Sequence, residues 1–157
     1  MVLNSGAVLS PGNSIGILTL DGRELDSELA TLTMLSGSTL LMEVAGPEPD
    51  DNDQLIVLGN LTIEDGAMIN MALIGDYNWS PYQTFEAIIQ AEGTSEELIE
   101  RALTSSYFTD LNAILQADGS TYIITGMVDP NAVPEPSTWA LLALGFIVLF
   151  LRKRVRS

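Results

Sequence analysis

Positive and negative charge are kept apart along this chain. Its twenty-one acidic residues all lie at or before Glu135, whereas four of its six basic residues, Arg152, Lys153, Arg154 and Arg156, fall within the last six positions. Between them runs an uncharged stretch of sixteen residues, Pro136 to Leu151, of which the thirteen from Trp139 onward are almost wholly apolar. Residues 1–151 hold only Arg23 and Arg101 as cations and so carry a net charge of −19. The chain divides into an acidic body and a short apolar tail closed by cations. A sixteen-residue helix rises about 24 Å, against roughly 30 Å of hydrocarbon in a bilayer. Trp139 at one end and the basic cluster at the other supply interfacial anchors that extend the reach. The tail therefore predicts a single C-terminal transmembrane helix. Trp139, Arg152, Lys153, Arg154 and Arg156 set its orientation, with the cations cytoplasmic and the acidic body outside. A buried core helix fits less well, because apolar residues occupy every face and then stop at four basic residues. An interfacial helix would need a polar face that Leu141 to Leu151 do not offer.

Two prolines one residue apart, Pro134 and Pro136, hold the segment ahead of this run extended, since each fixes its own φ and turns its predecessor away from helix. An extended segment at a membrane face is the form a protease can thread, with Glu135 as its one charged contact. Val133-Pro134-Glu135-Pro136-Ser137, the apolar run and the terminal basic cluster together resemble the tripartite PEP-CTERM sorting signal of Gram-negative bacteria, over about residues 133 to 157. That resemblance implies a sorting motif at Pro134, Glu135 and Pro136 and an exosortase, a membrane cysteine protease-transpeptidase, as partner. It also implies export through the inner membrane, with the body on the periplasmic side and then at the cell surface or outside, in bacteria that make exopolysaccharide or biofilm matrix.

The body reads as all-β. Ile15–Leu20, Thr39–Val44, Gln54–Leu58, Leu61–Ile63, Met68–Ile74 and Thr121–Val128 are strand-length apolar segments. Turn-forming Ser10-Pro11-Gly12-Asn13, Asp21-Gly22, Ser36-Gly37, Gly59-Asn60, Asp65-Gly66 and Asp118-Gly119 lie among them. The alternation of Thr39, Leu41 and Glu43 with Leu40, Met42 and Val44 would suit a β-sandwich. Very short strands joined by Gly and Asn turns suit a parallel β-helix-like body, in which each rung buries its apolar face only against its neighbours. The likeness of Ile17–Gly22 to Gly59–Gly66 favours rungs. Residues 6 to 90 resemble the passenger-associated strand repeat of autotransporters, through Val8–Gly16, Gly37–Leu40 and Asp53–Val57. Arg23 to Leu35 departs from that pattern in being helix-compatible. A short helix is predicted over roughly 95–104, capped at Thr94 or Ser95 and covering an open end of the stack. The resulting division is a strand-repeat region at 1–92, the helix and terminal strands at 93–130, and the sorting signal at 131–157. Met1 to Gly6 offers neither a basic n-region nor an apolar h-region. We therefore expect the frame to open inside a longer protein whose signal peptide and earlier rungs precede it.

Catalytic equipment is not visible in the residues, and no cofactor is expected. Without cysteine or histidine the chain lacks a thiolate and the commonest general base and metal ligand. Its sole lysine, Lys153, sits in the tail, so neither a Ser-His nor a Ser-Lys arrangement can be built in the body. So acidic a body repels phosphate backbones, which excludes nucleic acid as a partner. Two weaker candidates remain. Asp50, Asp51 and Asp53, beside Glu48 and Asn52, could take Ca²⁺, although a solvated acidic turn explains them as well. Tyr77, Trp79 and Tyr82, with Phe85 nearby, could stack on sugar rings, although core packing explains aromatics equally well. The predicted function is an exported, membrane-anchored or exosortase-processed surface or matrix protein with no catalysis of its own. The alternative is a carbohydrate-binding or polysaccharide-cleaving surface module.

Overall fold

The computed structural model describes residues 1–22, 29–75, 79–80 and 82–132. The chain winds through short strands in the order β1 (Val2–Leu3), β2 (Val8–Leu9), β3 (Ile17–Leu20), β4 (Ala30–Met34), β5 (Thr39–Val44), β6 (Gln54–Ile63), β7 (Met68–Leu73) and β8 (Thr84–Glu92). Helix α1 (Glu96–Ala102), β9 (Leu103–Thr104), β10 (Phe108–Leu115) and β11 (Thr121–Val128) follow. One sheet runs β1-β4-β6-β8-β11-β10 with β3 also on β6, and a second runs β2-β5-β7-β9. All pairings from β1 to β9 are parallel, so the rung architecture holds and the sandwich does not. The last two strands depart from it: β11 pairs antiparallel with β8, and β10 antiparallel with β11.

Each coil repeats the one before it. Leu3 pairs with Met34 and Met34 with Ile63, steps of 31 and 29 residues. On the second sheet Leu9, Leu40, Ile69 and Leu103 form one column, and Met42 and Met71 another. Alternation along each strand turns these side chains inward, and Leu32, Met34, Leu40, Met42, Leu61 and Met71 are wholly buried. A parallel strand cannot hide its apolar residues alone, so every coil is stabilised by the next. The turns between the sheets stack in the same way. Gly6, Gly37 and Gly66 lie at φ of +78°, +79° and +83°, where only glycine sits without strain. The Gly6 N–H donates to the Gly37 carbonyl and the Gly37 N–H to that of Gly66, both at 2.9 Å.

Three expectations are corrected here. Gly59-Asn60 is no turn but lies inside β6, which runs unbroken from Gln54 to Ile63. Glycine is needed at position 59 because β4 passes so close that a Cβ would lie 2.1 Å from the Ala30 carbonyl oxygen. Ala30 to Met34, within the helix-compatible stretch, is strand β4, because pairing with Gly59–Ile63 and burial of Ala30, Leu32 and Met34 outweigh local propensity; Arg23 to Glu28 lie outside the described residues. Finally, Ile17–Leu20 aligns with Gln54–Val57, and the counterpart of Gly59–Gly66 is Ala30–Gly37. The repeat exists, in a register displaced by half a coil.

The predicted helix is α1, capped by Ser95, whose Oγ accepts from the Leu98 N–H at 3.3 Å. Ile99 and Ala102 face inward and close the stack beyond β6 and β7. Two glutamates one turn apart, Glu96 and Glu100, reach the outer side of β10, accepting from the N–H groups of Leu115 at 2.6 Å and Ala113 at 3.3 Å. They occupy backbone donors that an edge strand would otherwise offer to another chain.

Two substitutions test this packing. Leu61→Ala should cost about 2–5 kcal/mol through the cavity left in a fully buried column. Gly59→Ala should cost about 1–3 kcal/mol by forcing β4 away from β6. Urea denaturation followed by circular dichroism measures both.

Candidate functional site

The acidic segment around position 50 divides: Asp50 and Asp51 stand in solvent, as a solvated turn would have them, and Asp53 turns inward. Between β5 and β6 the chain makes a single 3-10 turn at Pro49–Asp51, leaving Asp50 and Asp51 exposed. Asn52 and Asp53, the next two residues, are buried. A corner in a coil strips backbone groups of their ladder partners, and each buried orphan costs free energy. Asn52 supplies the missing partners. Its Oδ1 accepts from the N–H groups of Ala45 at 2.9 Å and Gly46 at 3.2 Å. Its Nδ2 shares two hydrogens among the carbonyls of Gly46, Glu48 and Glu86, at 2.9, 2.8 and 2.6 Å. Asp53 Oδ1 accepts from the Gly16 N–H and its Oδ2 from the Glu43 N–H, each at 2.8 Å. This pair stitches the entry of β3, the end of β5 and the strand β8 to one corner.

Burial pushes the Asp53 carboxyl above its ordinary value of 3.8, and the two backbone donors oppose that shift. Asp53 has both oxygens turned to backbone amides, while Asp50 and Asp51 point to solvent. Among the described residues no group of three or more acidic side chains converges where a cation could sit.

The aromatic candidates separate as well. Trp79 is only 7% exposed and meets Phe108 edge-on at 5.9 Å between ring centroids, while Phe85 packs on Phe108 at 4.4 Å. Tyr82 is 65% exposed. Tyr77 lies outside the described residues. Trp79 and Tyr82 therefore present no shared stacking face. An open groove of about 280 Å³ lies where β6 and β8 part between Ile56 and Asn60, bounded by Leu29, Val57, Gly59, Gln90, Ala91 and Glu92.

The remaining site is the root of the tail. Val128 ends β11 with its N–H on the Gln83 carbonyl and its carbonyl accepting from the Tyr82 N–H. The Asp129 N–H donates to the Tyr107 carbonyl at 2.9 Å. Asp129 Oδ1 then accepts from the backbone and side-chain amides of Asn131, and the Ala132 N–H bonds back to Asp129, closing a tight turn. This turn is fixed to the body at Tyr107, and the described residues end with it at Ala132. Residues 132–154 match the PEP-CTERM protein-sorting motif. Motifs of this kind are recognised by exosortase, which is the partner addressed by this tail, and they direct export and membrane-associated sorting toward the cell surface. The PEP-CTERM segment starts where the Asp129–Ala132 turn finishes, so sorting signal and folded coil meet without overlap beyond one residue. No curated protein matches the chain. Pro134, Glu135, Pro136, Trp139, Arg152, Lys153, Arg154 and Arg156, and with them the predicted transmembrane helix, lie outside the described residues. Among the described residues no helix is long and apolar enough to cross a membrane.

The corner was visible in sequence only as acidity; the buried Asn52 carried no signal apart from its place beside Asp53. Asn52→Ala should cost at least about 3 kcal/mol, since several buried backbone groups lose partners at about 1–3 kcal/mol each. For Asp53 the sign of the pH dependence follows from its raised pKa. Between 3.8 and the higher folded value, the folded chain holds a proton that the unfolded chain releases, so this contribution declines as pH rises through that window. The stability of the wild-type chain relative to Asp53→Asn should accordingly fall with rising pH there, as read from urea midpoints across the acid range.

Proposed function

We propose that this chain is a surface or extracellular-matrix protein without catalysis of its own, whose coil is cargo and whose tail is address. The carrying observation is the PEP-CTERM match at residues 132–154, joined directly to an acidic parallel coil. In this reading the apolar run Trp139–Leu151 holds the chain in the inner membrane. Arg152, Lys153, Arg154 and Arg156 stay cytoplasmic, and the body, net −19 over residues 1–151, stands on the periplasmic side. Exosortase then takes the Pro134-Glu135-Pro136 segment and releases or transfers the body to the outer surface, where it joins exopolysaccharide or biofilm matrix. The division into a strand-repeat region at 1–92, a closing unit at 93–130 and the signal at 131–157 serves that sequence of events. A carbohydrate-binding reading draws less support, since burial of Trp79 breaks up the aromatic trio on which it relied.

Fractionation of cells expressing a tagged full-length chain, with and without alanines at Pro134, Glu135 and Pro136, tests the reading. The wild-type chain should pass from the membrane to a shorter surface or released form, and the variant should accumulate at full length in the membrane. Unchanged processing of the variant would remove the role assigned to the motif.

A further inference from the structure

We propose that the end of the body from which the tail departs rests on the lipid head groups, held there by Tyr82 and Tyr107. This inference rests on the membrane anchoring put forward above and adds to it which face of the body meets the bilayer.

The chain leaves the body between these two tyrosines. The Tyr82 N–H donates to the Val128 carbonyl, and the Tyr107 carbonyl accepts from the Asp129 N–H. Both side chains are exposed, Tyr82 by 65% and Tyr107 by 39%. Tyr82 lies at φ +65°, a left-handed conformation that is costly for a bulky side chain and is tolerated where the surroundings enforce it. Tyr107 is pinned from behind. Ser105 Oγ donates to the Met71 carbonyl at 2.6 Å and accepts from the Tyr107 and Phe108 N–H groups. Both residues are thus tied to the body through their backbones.

The length of chain beyond the body limits where that scaffold can be. Only residues 133–138 separate Ala132 from Trp139, where the apolar run begins. Fully extended, that connection spans at most roughly 25 Å. A body so tethered stays beside the bilayer, and of its surfaces the tail root is the one brought nearest. Tyrosine is suited to that position, with an apolar ring for the interface and a hydroxyl for water and head groups. Asp110 and Asp129 lie at the same end and keep it at head-group level, since a carboxylate resists entry into hydrocarbon. The far end of the β10–β11 hairpin, at Gln116–Ser120, lies one eight-residue strand away, roughly 25 Å from the tail root.

The cysteine-free sequence makes the test direct. An environment-sensitive fluorophore is placed on Ser106→Cys beside Tyr107, or on Ala117→Cys at the hairpin tip. Each full-length chain is reconstituted into zwitterionic phosphatidylethanolamine–phosphatidylcholine vesicles carrying bromine close to the head groups. The label at 106 should shift to the blue and be quenched, and the label at 117 should do neither. Tyr82→Ser with Tyr107→Ser should abolish the response at 106 while the chain still sediments with vesicles and keeps its circular dichroism. Equal responses at 106 and 117, or a response at 106 that survives loss of both tyrosines, would overturn the assigned face and leave the anchor standing. A chain that fails to sediment with vesicles at all would overturn the anchor and this inference with it.

Discussion

The whole body depends on backbone ladders between coils that repeat about every thirty residues. Every buried N–H and C=O must find a partner. In a parallel stack that partner belongs to the next coil, so a position buried in one coil dictates a buried position in its neighbour. The columns Leu3–Met34–Ile63 and Leu9–Leu40–Ile69–Leu103 follow from that register, as do the stacked Gly6, Gly37 and Gly66 turns. Where the ladder is interrupted at a corner, side chains must take over. Asn52 and Asp53 do so between β5 and β6, and their burial is the condition for the two sheets to continue past that point.

Much of this is legible in the sequence. β5, β7 and β11 announce themselves through alternation or β-branched runs, and Ser95 announces the start of the helix. Strand β8 was silent because its inward positions include Ala87 and Ala91, small residues that weaken a hydrophobic period. Strand β10 was silent because a bulge between Thr109 and Asn112, with Asp110 at φ +51°, breaks the alternation. For β4 the alternation of Ala30, Leu32 and Met34 with two threonines was present, yet the charged residues before it read as helix. Register is invisible locally for a related reason. Ile17–Leu20 and Ala30–Met34 are equally good strands, and long-range contacts, the Gly16–Asp53 hydrogen bond for one and the close passage at Gly59 for the other, decide which lies beside which half of β6.

The candidate sites divide along the same line. The sorting motif is legible because it is read as an extended peptide, so its information is linear: two prolines, one carboxylate, an apolar run and cations in order. The acidic corner and the aromatic trio depend instead on which way a side chain turns. Asp53 turns in and Asp50, three residues earlier, turns out, and Trp79 packs under Phe108 while Tyr82 stands in solvent. Composition grouped residues that topology pulls apart.

The two carboxylates that α1 lays along β10 have a consequence for how such molecules behave when crowded. A parallel stack has no intrinsic length, and any chain offering a matching strand could prolong it. At this end the place of an incoming carbonyl is already taken beside Leu115 by Glu96 and beside Ala113 by Glu100. A strand added beside these two positions would first have to displace a carboxylate. Neighbouring bodies that meet along this edge therefore face carboxylates there rather than open backbone donors.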